Sequence, residues 1–409
     1  MGLIDNIKNI SEKGDLIDKK SRLLKSFLQK GFPTIKDEEW KYTSLKKIVN
    51  DDFAIEESGS NILESDIEKY TLGFEHKIIF IGGVLISKPN IAGVSISDFS
   101  NFESKNNDAI SVLNYALAKK GFTITIEDNT IVESPIEILF FSNTKNNNFS
   151  QYRNKIIVGN NAQIKFVERI QNISAAKSFV NHFTQISIGK NSNVEYNKIQ
   201  DNTKNSILID NMDIYQLEDA NASVNTLIFG GEFTRNNLSF EQNGSNCDSN
   251  MNGVSLLDTN QFADNHTFVD HKQPNCRSNE MYKGIYLGNS KGVFNGKIMV
   301  RPNAQKIDAF QSNNNLLLSD NATIDSKPQL EIYADDVKCS HGCTIGQLDN
   351  DALFYMRSRG IREDEAKAVL TYAFASEAIN NIEVPEVRKM AMTLIARKLN
   401  VDIDFNLND

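Results

Sequence analysis

The chain has 409 residues, a formal net charge of −9 and a hydrophobic content of 40%. It is long enough to bury roughly three quarters of its unfolded surface without covalent staples, and its acidic balance lacks the basic stripe of a nucleic-acid binder. The four cysteines, Cys247, Cys276, Cys339 and Cys343, are too sparse for a disulfide framework and fit reduced thiols in a reducing compartment.

Met1-Gly2-Leu3-Ile4-Asp5-Asn6 shows no basic cluster followed by an apolar run, so no secretory signal is expected. Asn6 stands where an acylation signal needs Ser or Thr. No stretch approaches the ~20 apolar residues of a membrane span. The expected location is the cytoplasm, with neither membrane nor nucleic acid as a partner. Asn is plentiful throughout, but a biased genome also produces that, so its abundance carries no weight here.

Three zones differ in period. In residues 1–75, Leu16, Ile17, Leu23, Leu24, Phe27 and Leu28 recur at helical spacing. Gly31 sits where a helix C-cap would, and Pro33 prevents a restart. Asp37–Tyr42 reads as a short helix or ordered turn.

Residues 76–345 carry short β-rich runs between Gly, Asn and Asp turns, such as Phe122–Ile126, Ile136–Phe141 and Gln185–Ile188. No helical pattern separates the strands after about residue 121, which argues against a βαβ sheet. An internal repeat is visible. Ile156–Ile164 aligns with Ile186–Val194 at an offset of 30, and the same offset then lands on Asn221-Ala222-Ser223-Val224. A related turn recurs at Asn321-Ala322-Thr323-Ile324. Each unit has an apolar strand, a tight turn and a further apolar position, and cannot bury its apolar face alone. Aligned turns at a fixed offset favour a parallel β-helix over a β-sandwich with coincidental turns.

Residues 346–409 are helical again. Asp349–Arg359 ends at Gly360, and Glu363–Asn380 presents Ala366, Val369, Leu370, Ala373, Phe374 and Ala378. A third helix opens at Pro385, where the missing N–H costs least, with Met390, Ala391, Leu394 and Ile395 as its stripe. These stripes suit packing on the solenoid, and the outer faces remain available for a partner.

Little else carries chemistry. Gly82-Gly83 is an isolated pair with no phosphate-binding context, and no Gly-x-Ser-x-Gly elbow exists. Asp335-Asp336 reads as a turn. Asp264-Asn265-His266 and Asp270-His271 read as structural histidines beside carboxylates. The segment Lys338-Cys339-Ser340-His341-Gly342-Cys343 is different, because thiolate with imidazole selects Fe–S clusters, zinc or copper. On an extended strand the three side chains share one face, about 7 Å apart for neighbours and about 13 Å for the outer pair. That spacing cannot close a four-coordinate site alone and favours completion by another chain. The alternative is a buried thiol beside a structural histidine.

Longer motifs surround this segment. Pro328–Gly342, Gly346–Asp349 and Leu353–Ile361 closely resemble the SufD scaffold subunits of the Suf iron–sulfur cluster assembly system, in the SufB/SufD family. Gly292–Ile298, Ala304-Gln305-Lys306 and Asn313–Leu318 are similar to the same family, as is Glu39-Trp40-Lys41-Tyr42-Thr43 near the start. The resemblance is strong over about 265–380 and thin between 50 and 260. It implies a mainly β protein, a right-handed parallel β-helix flanked by N-terminal and C-terminal α-helical regions. It implies a non-catalytic scaffold that pairs with the paralogous SufB and with the ABC-type ATPase SufC, which the C-terminal helices dock. Cys339 and His341 would contribute ligands to a nascent cluster or its iron at the SufB interface. No cofactor is expected in the isolated chain, and a homodimer is one way for its exposed pairing surface to be covered when its partners are absent. The family usually has a small residue where this chain has Cys343, which is read as a passive substitution rather than an extra ligand. Two competing readings are a β-helix enzyme acting on polysaccharide, disfavoured by a single tryptophan outside the solenoid, and a purely structural repeat protein.

Overall fold

The computed structural model describes residues 2–13, 18–55, 62–103 and 108–401. Leu16 and Ile17 of the expected first stripe lie outside them. Strands account for 45% of the chain and wind into a parallel β-solenoid of about eight turns. Two ten-stranded sheets face each other, and from Phe122 onward consecutive strands alternate between them. Each turn of the chain therefore contributes one strand to each sheet.

The repeat offset is the turn length. Asn193 pairs with Gln163, 30 residues earlier, as the alignment requires. The next unit is shifted, because Asn193 pairs with Asn221 at an offset of 28. The tight-turn residue with positive φ is thus Asn161, Asn191 and then Asp219, not Asn221. The coil shortened by two residues, and a fixed offset cannot follow that. The turn at Asn321-Ala322 also differs from expectation. It feeds the strand Thr323–Ile332, which lies in the other sheet from Gln163–Asn172, so it belongs to the opposite corner.

Asparagine has a structural use after all. Asn129, Asn161 and Asn191 all adopt positive φ, which Asn tolerates better than most residues. Their amides stack, with Asn161 Nδ2 donating to Asn129 Oδ1 and Asn191 Nδ2 to Asn161 Oδ1, both at 2.9 Å. On the outer face that the C-terminal helices cover, Asn252 Nδ2 donates to Asn225 Oδ1 at 2.9 Å, and Asn225 Nδ2 to Asn197 Oδ1 at 2.8 Å. A side-chain amide carries both donor and acceptor, so identical residues stacked one turn apart satisfy one another.

Three apolar layers result. The lumen is filled by residues such as Phe80, Phe122, Phe140, Phe166 and Tyr196. Leu3, Ile7, Leu24 and Phe27 of the N-terminal helices cover one sheet's outer face at Phe149, Phe179 and Ile209. The C-terminal helices Glu363–Ile379 and Pro385–Lys398 cover the other sheet at Ile199, Leu227, Val254 and Ile285. Strands buried on both faces lose the usual apolar–polar alternation, and Ile136–Ser142 is buried at every position.

Several boundaries match the sequence signals. The helix Asp18–Lys30 ends at Gly31 with φ 78°, and Pro385 opens the last helix. The face of Glu363–Ile379 is rotated from the expected stripe: Ala373 is exposed, while Thr371, Tyr372 and Ala375 are buried. An alanine-rich helix has a weak apolar stripe, so its tertiary contacts choose the face. No described helix is long and apolar enough to cross a membrane.

The two ends of the solenoid differ. At the N-terminal end Val84–Ser87 and Val94–Asp98 add antiparallel strands, one to each sheet. At the C-terminal end the last rung is Thr323–Ile332 and Val337–Gly346, and no further described strand pairs with either.

Candidate functional site

The final strand Val337–Gly346 carries Cys339, His341 and Cys343. Its register over Ile307–Leu317 sets where they point. Cys339 stands over Ala309, His341 over Gln311 and Cys343 over Asn313. All three lower residues are buried and face the lumen, so the three upper ones face the mouth of the solenoid. The shared face expected from the spacing is present. Gly342, between His341 and Cys343, leaves open space where a Cβ would stand.

Their environments differ. Cys339 is half-buried beside Ala309, Ala334 and Val337. Burial pushes its thiol pKa up, and the nearby Asp308 charge adds to the rise. A metal at Cys339 must therefore displace a firmly held proton. His341 and Cys343 are exposed. The Cys343 Sγ lies 3.1 Å from Ser326 Oγ across the mouth and 3.9 Å from Asn313 Oδ1. Large apolar side chains surround the open end, including Phe310 at 52% exposure, Tyr333 at 60% and Ile345 at 51%.

The core-domain model of SufBD proteins of the SUF iron–sulfur cluster assembly system matches residues 140–374. This chain belongs to the SufBD family. It is 29% identical over 391 residues to the iron–sulfur cluster assembly protein SufD of Escherichia coli strain K12, covering 92% of this chain and 91% of that protein. A SufBD family protein of Synechocystis is 30% identical over 387 residues, covering 87% of this chain and 85% of its own length. The chloroplastic protein ABCI7 of Arabidopsis thaliana is 27% identical over 399 residues, covering 90% of this chain and 82% of its own length. The SufBD core match begins within the strand Ile136–Ser142 and runs into the helix Glu363–Ile379.

The structure also assembles a buried cluster that spacing does not reveal. Glu168, His182 and Asp210 present ligand-type atoms within 4.8 Å of one another. They come from three strands, and only the register joins them: His182 pairs with Asp210, and Glu168 with Lys198. The His182 Nδ1 lies 3.2 Å from Asp210 Oδ1, and Lys198 Nζ donates to Asp210 Oδ2 at 2.8 Å. Tyr196 donates its hydroxyl to Glu168 Oε2 at 2.7 Å. Burial alone would lower the His182 pKa, but the charges of Glu168 and Asp210 outweigh it and raise it. Burial opposes ionisation of Asp210 too, yet Lys198 and His182 hold its carboxyl low. Lys198 already supplies the positive charge that a metal ion would bring, so this is a self-neutralised network within the SufBD core.

A third assembly ties the N-terminal motif to the solenoid. The Arg235 guanidinium lies 3.8 Å from the Trp40 ring centroid and donates to Asp264 Oδ2 at 2.5 Å and to the Glu39 carbonyl at 2.9 Å. His266 lies 3.0 Å from Asp264 Oδ1 and 3.4 Å from Glu39 Oε2, so it is a structural histidine. A cavity of about 420 Å³ adjoins this assembly, lined by Glu39, Asp213, Tyr215 and Lys297 among others. Trp40 itself is buried under Arg235 and offers no open ring face to a sugar.

Proposed function

We propose that this SufBD protein is a non-catalytic scaffold that pairs with a SufB subunit through the open last rung of its solenoid. Cys339 and His341 then contribute half the ligands to an iron ion or nascent cluster, which is the cargo of the complex. The observation that carries this is the last rung itself. Among the described residues no strand pairs with its outer edge, and it carries a rim of exposed apolar side chains with a half-buried thiol and an exposed imidazole on one face. An open strand edge of this kind needs a cover, and a second solenoid with the same rung spacing matches it. The two residues alone leave a coordination sphere incomplete, which the partner's rung completes.

The C-terminal helices dock the SufC ATPase. Their inner faces lie on the solenoid, while Phe354 at 73% exposure and Tyr355 at 58% project from Asn350–Ser358. Such exposed aromatics suit a protein contact. ATP hydrolysis belongs to SufC, because this chain carries no phosphate-binding loop. Cys343 is a passive substitution, in keeping with its contacts to Ser326 and Asn313.

The test is co-purification of the chain from its host, with iron, sulfide and flavin analysis of the complex. Recovery of SufB and SufC partners with iron and sulfide is expected. Recovery without iron or sulfide, with the same result after replacing both Cys339 and His341, would leave a purely structural role.

A further inference from the structure

Two of the four cysteines lie outside the candidate site. Cys247 and Cys276 are buried, at 1% and 0% exposure. Each directly precedes a strand, Asp248–Leu257 and Arg277–Tyr286, and those strands pair in parallel with Asp248 opposite Arg277. The two cysteines therefore occupy the same corner of successive turns, and the Arg277 amide donates to the Cys247 carbonyl at 2.8 Å. Both follow an asparagine with positive φ, Asn246 at 57° and Asn275 at 61°. Equal turn geometry points the two side chains the same way.

The thiols converge. Cys247 Sγ lies 3.2 Å from the Gly244 carbonyl oxygen, and Cys276 Sγ lies 3.4 Å from the same atom. Adjacent parallel strands run about 4.8 Å apart, inside the Cα window of about 4.4–6.8 Å that a disulfide needs. Burial opposes ionisation of both thiols, which titrate as a coupled pair. His271 is itself buried, with Nε2 3.0 Å from Ser278 Oγ. Either thiol can attack, with the other placed to resolve it.

We infer that Cys247 and Cys276 form a peroxide-responsive disulfide that staples two successive turns of the solenoid. One of the two, as thiolate, attacks one oxygen of hydrogen peroxide, the O–O bond breaks, and the released hydroxide takes up a proton to leave as water. The resulting sulfenic acid is attacked by the other cysteine's sulfur, which loses its proton, and the sulfenic oxygen leaves as a second water. Two thiols and one peroxide thus give one disulfide and two waters. The column continues from Cys276 to Ile307 and Val337, so the staple lies two turns below the strand bearing Cys339 and stiffens the corner beneath it. Because both thiols are buried, the reaction follows local opening and lags behind modification of the exposed Cys343.

The experiment uses the full chain, purified reduced, with four free thiols. It is treated with hydrogen peroxide, alkylated, and digested with trypsin. Cleavage after Lys272 separates the two cysteines into peptides 236–272 and 273–277. The expected product is these two peptides joined, two hydrogens lighter than their sum, and separated again by dithiothreitol. The melting temperature is expected to rise on oxidation and to fall back on reduction. Cys247→Ser is expected to abolish the linkage and let Cys276 proceed to the sulfinic acid. The inference is overturned if both peptides remain alkylated while Cys343 oxidises, if they link only after denaturation, or if Cys276 over-oxidises in the wild type without linking.

Discussion

His341 stands in register directly over Gln311, whose Nε2 donates to Glu280 Oε2 at 2.8 Å. A buried polar column thus ends in an exposed imidazole at the mouth of the solenoid. His341 bears no load in the fold beneath it. His341→Ala is therefore expected to change stability by no more than about 0.5 kcal/mol. Under the proposed function it abolishes iron and sulfide recovery in the complex. Denaturant unfolding of the variant and iron analysis of the co-purified assembly check both halves. Unchanged iron and sulfide with an intact complex would remove His341 from the site.

Glu280 makes stability depend on pH. Burial raises its pKa to about 7 in the folded state, against hydrogen bonds from Gln311 and Thr267, from an ordinary value of 4.5. The folded form holds the proton more tightly than the unfolded form, so the contribution is complete below about pH 4.5. It is lost as pH rises toward 7. The difference is about 3 kcal/mol. Glu137, likewise raised to about 7 by burial, adds to the same window. Urea unfolding at pH 5 and pH 8 is expected to show lower stability at pH 8, and Glu280→Gln should shrink that difference.

The Arg235–Asp264 pair can be watched through the single tryptophan. Both side chains are buried, and Arg235 covers the Trp40 ring. Arg235→Ala takes the guanidinium from a buried Asp264 that keeps only Thr43 and His266 beside it, at a cost of about 3 kcal/mol. It also uncovers Trp40 and frees the Glu38–Trp40 turn. A red shift of tryptophan emission at denaturant concentrations that leave the sheet circular dichroism intact is the expected result.

The Glu168–His182–Lys198–Asp210 network makes a similar prediction with a different control. Lys198→Met removes the ammonium from a fully buried Asp210 and is expected to cost about 3–5 kcal/mol in denaturant unfolding. Because Lys198 supplies the positive charge, a metal chelator is expected to leave the wild-type melting temperature unchanged. A fall in melting temperature on chelation would instead assign a metal to this cluster.

The repeat, the turn asparagines and the helix punctuation are legible in the sequence. The offset between Ile156 and Ile186 is one turn of the solenoid, and Gly31, Gly360 and Pro385 mark helix ends where expected. The alignment failed where the coil shortened, at Asn221, and at Asn321, where a similar turn serves the other corner. Turn chemistry reports the local backbone conformation but not which corner it serves or how long the next coil is. The stripe on Glu363–Ile379 failed because alanine-rich sequences leave several faces nearly equal.

By itself the sequence determined the architecture, because stacking units of nearly constant length have few other ways to bury their strands. It also determined that Cys339, His341 and Cys343 share one face, since the side-chain period of a strand is two. Register decided the rest. It set His341 over Gln311, His182 beside Asp210 and Cys247 beside Cys276. Those pairs join residues 28 to 30 apart, and a shift of one residue in any coil would turn each side chain to the opposite face.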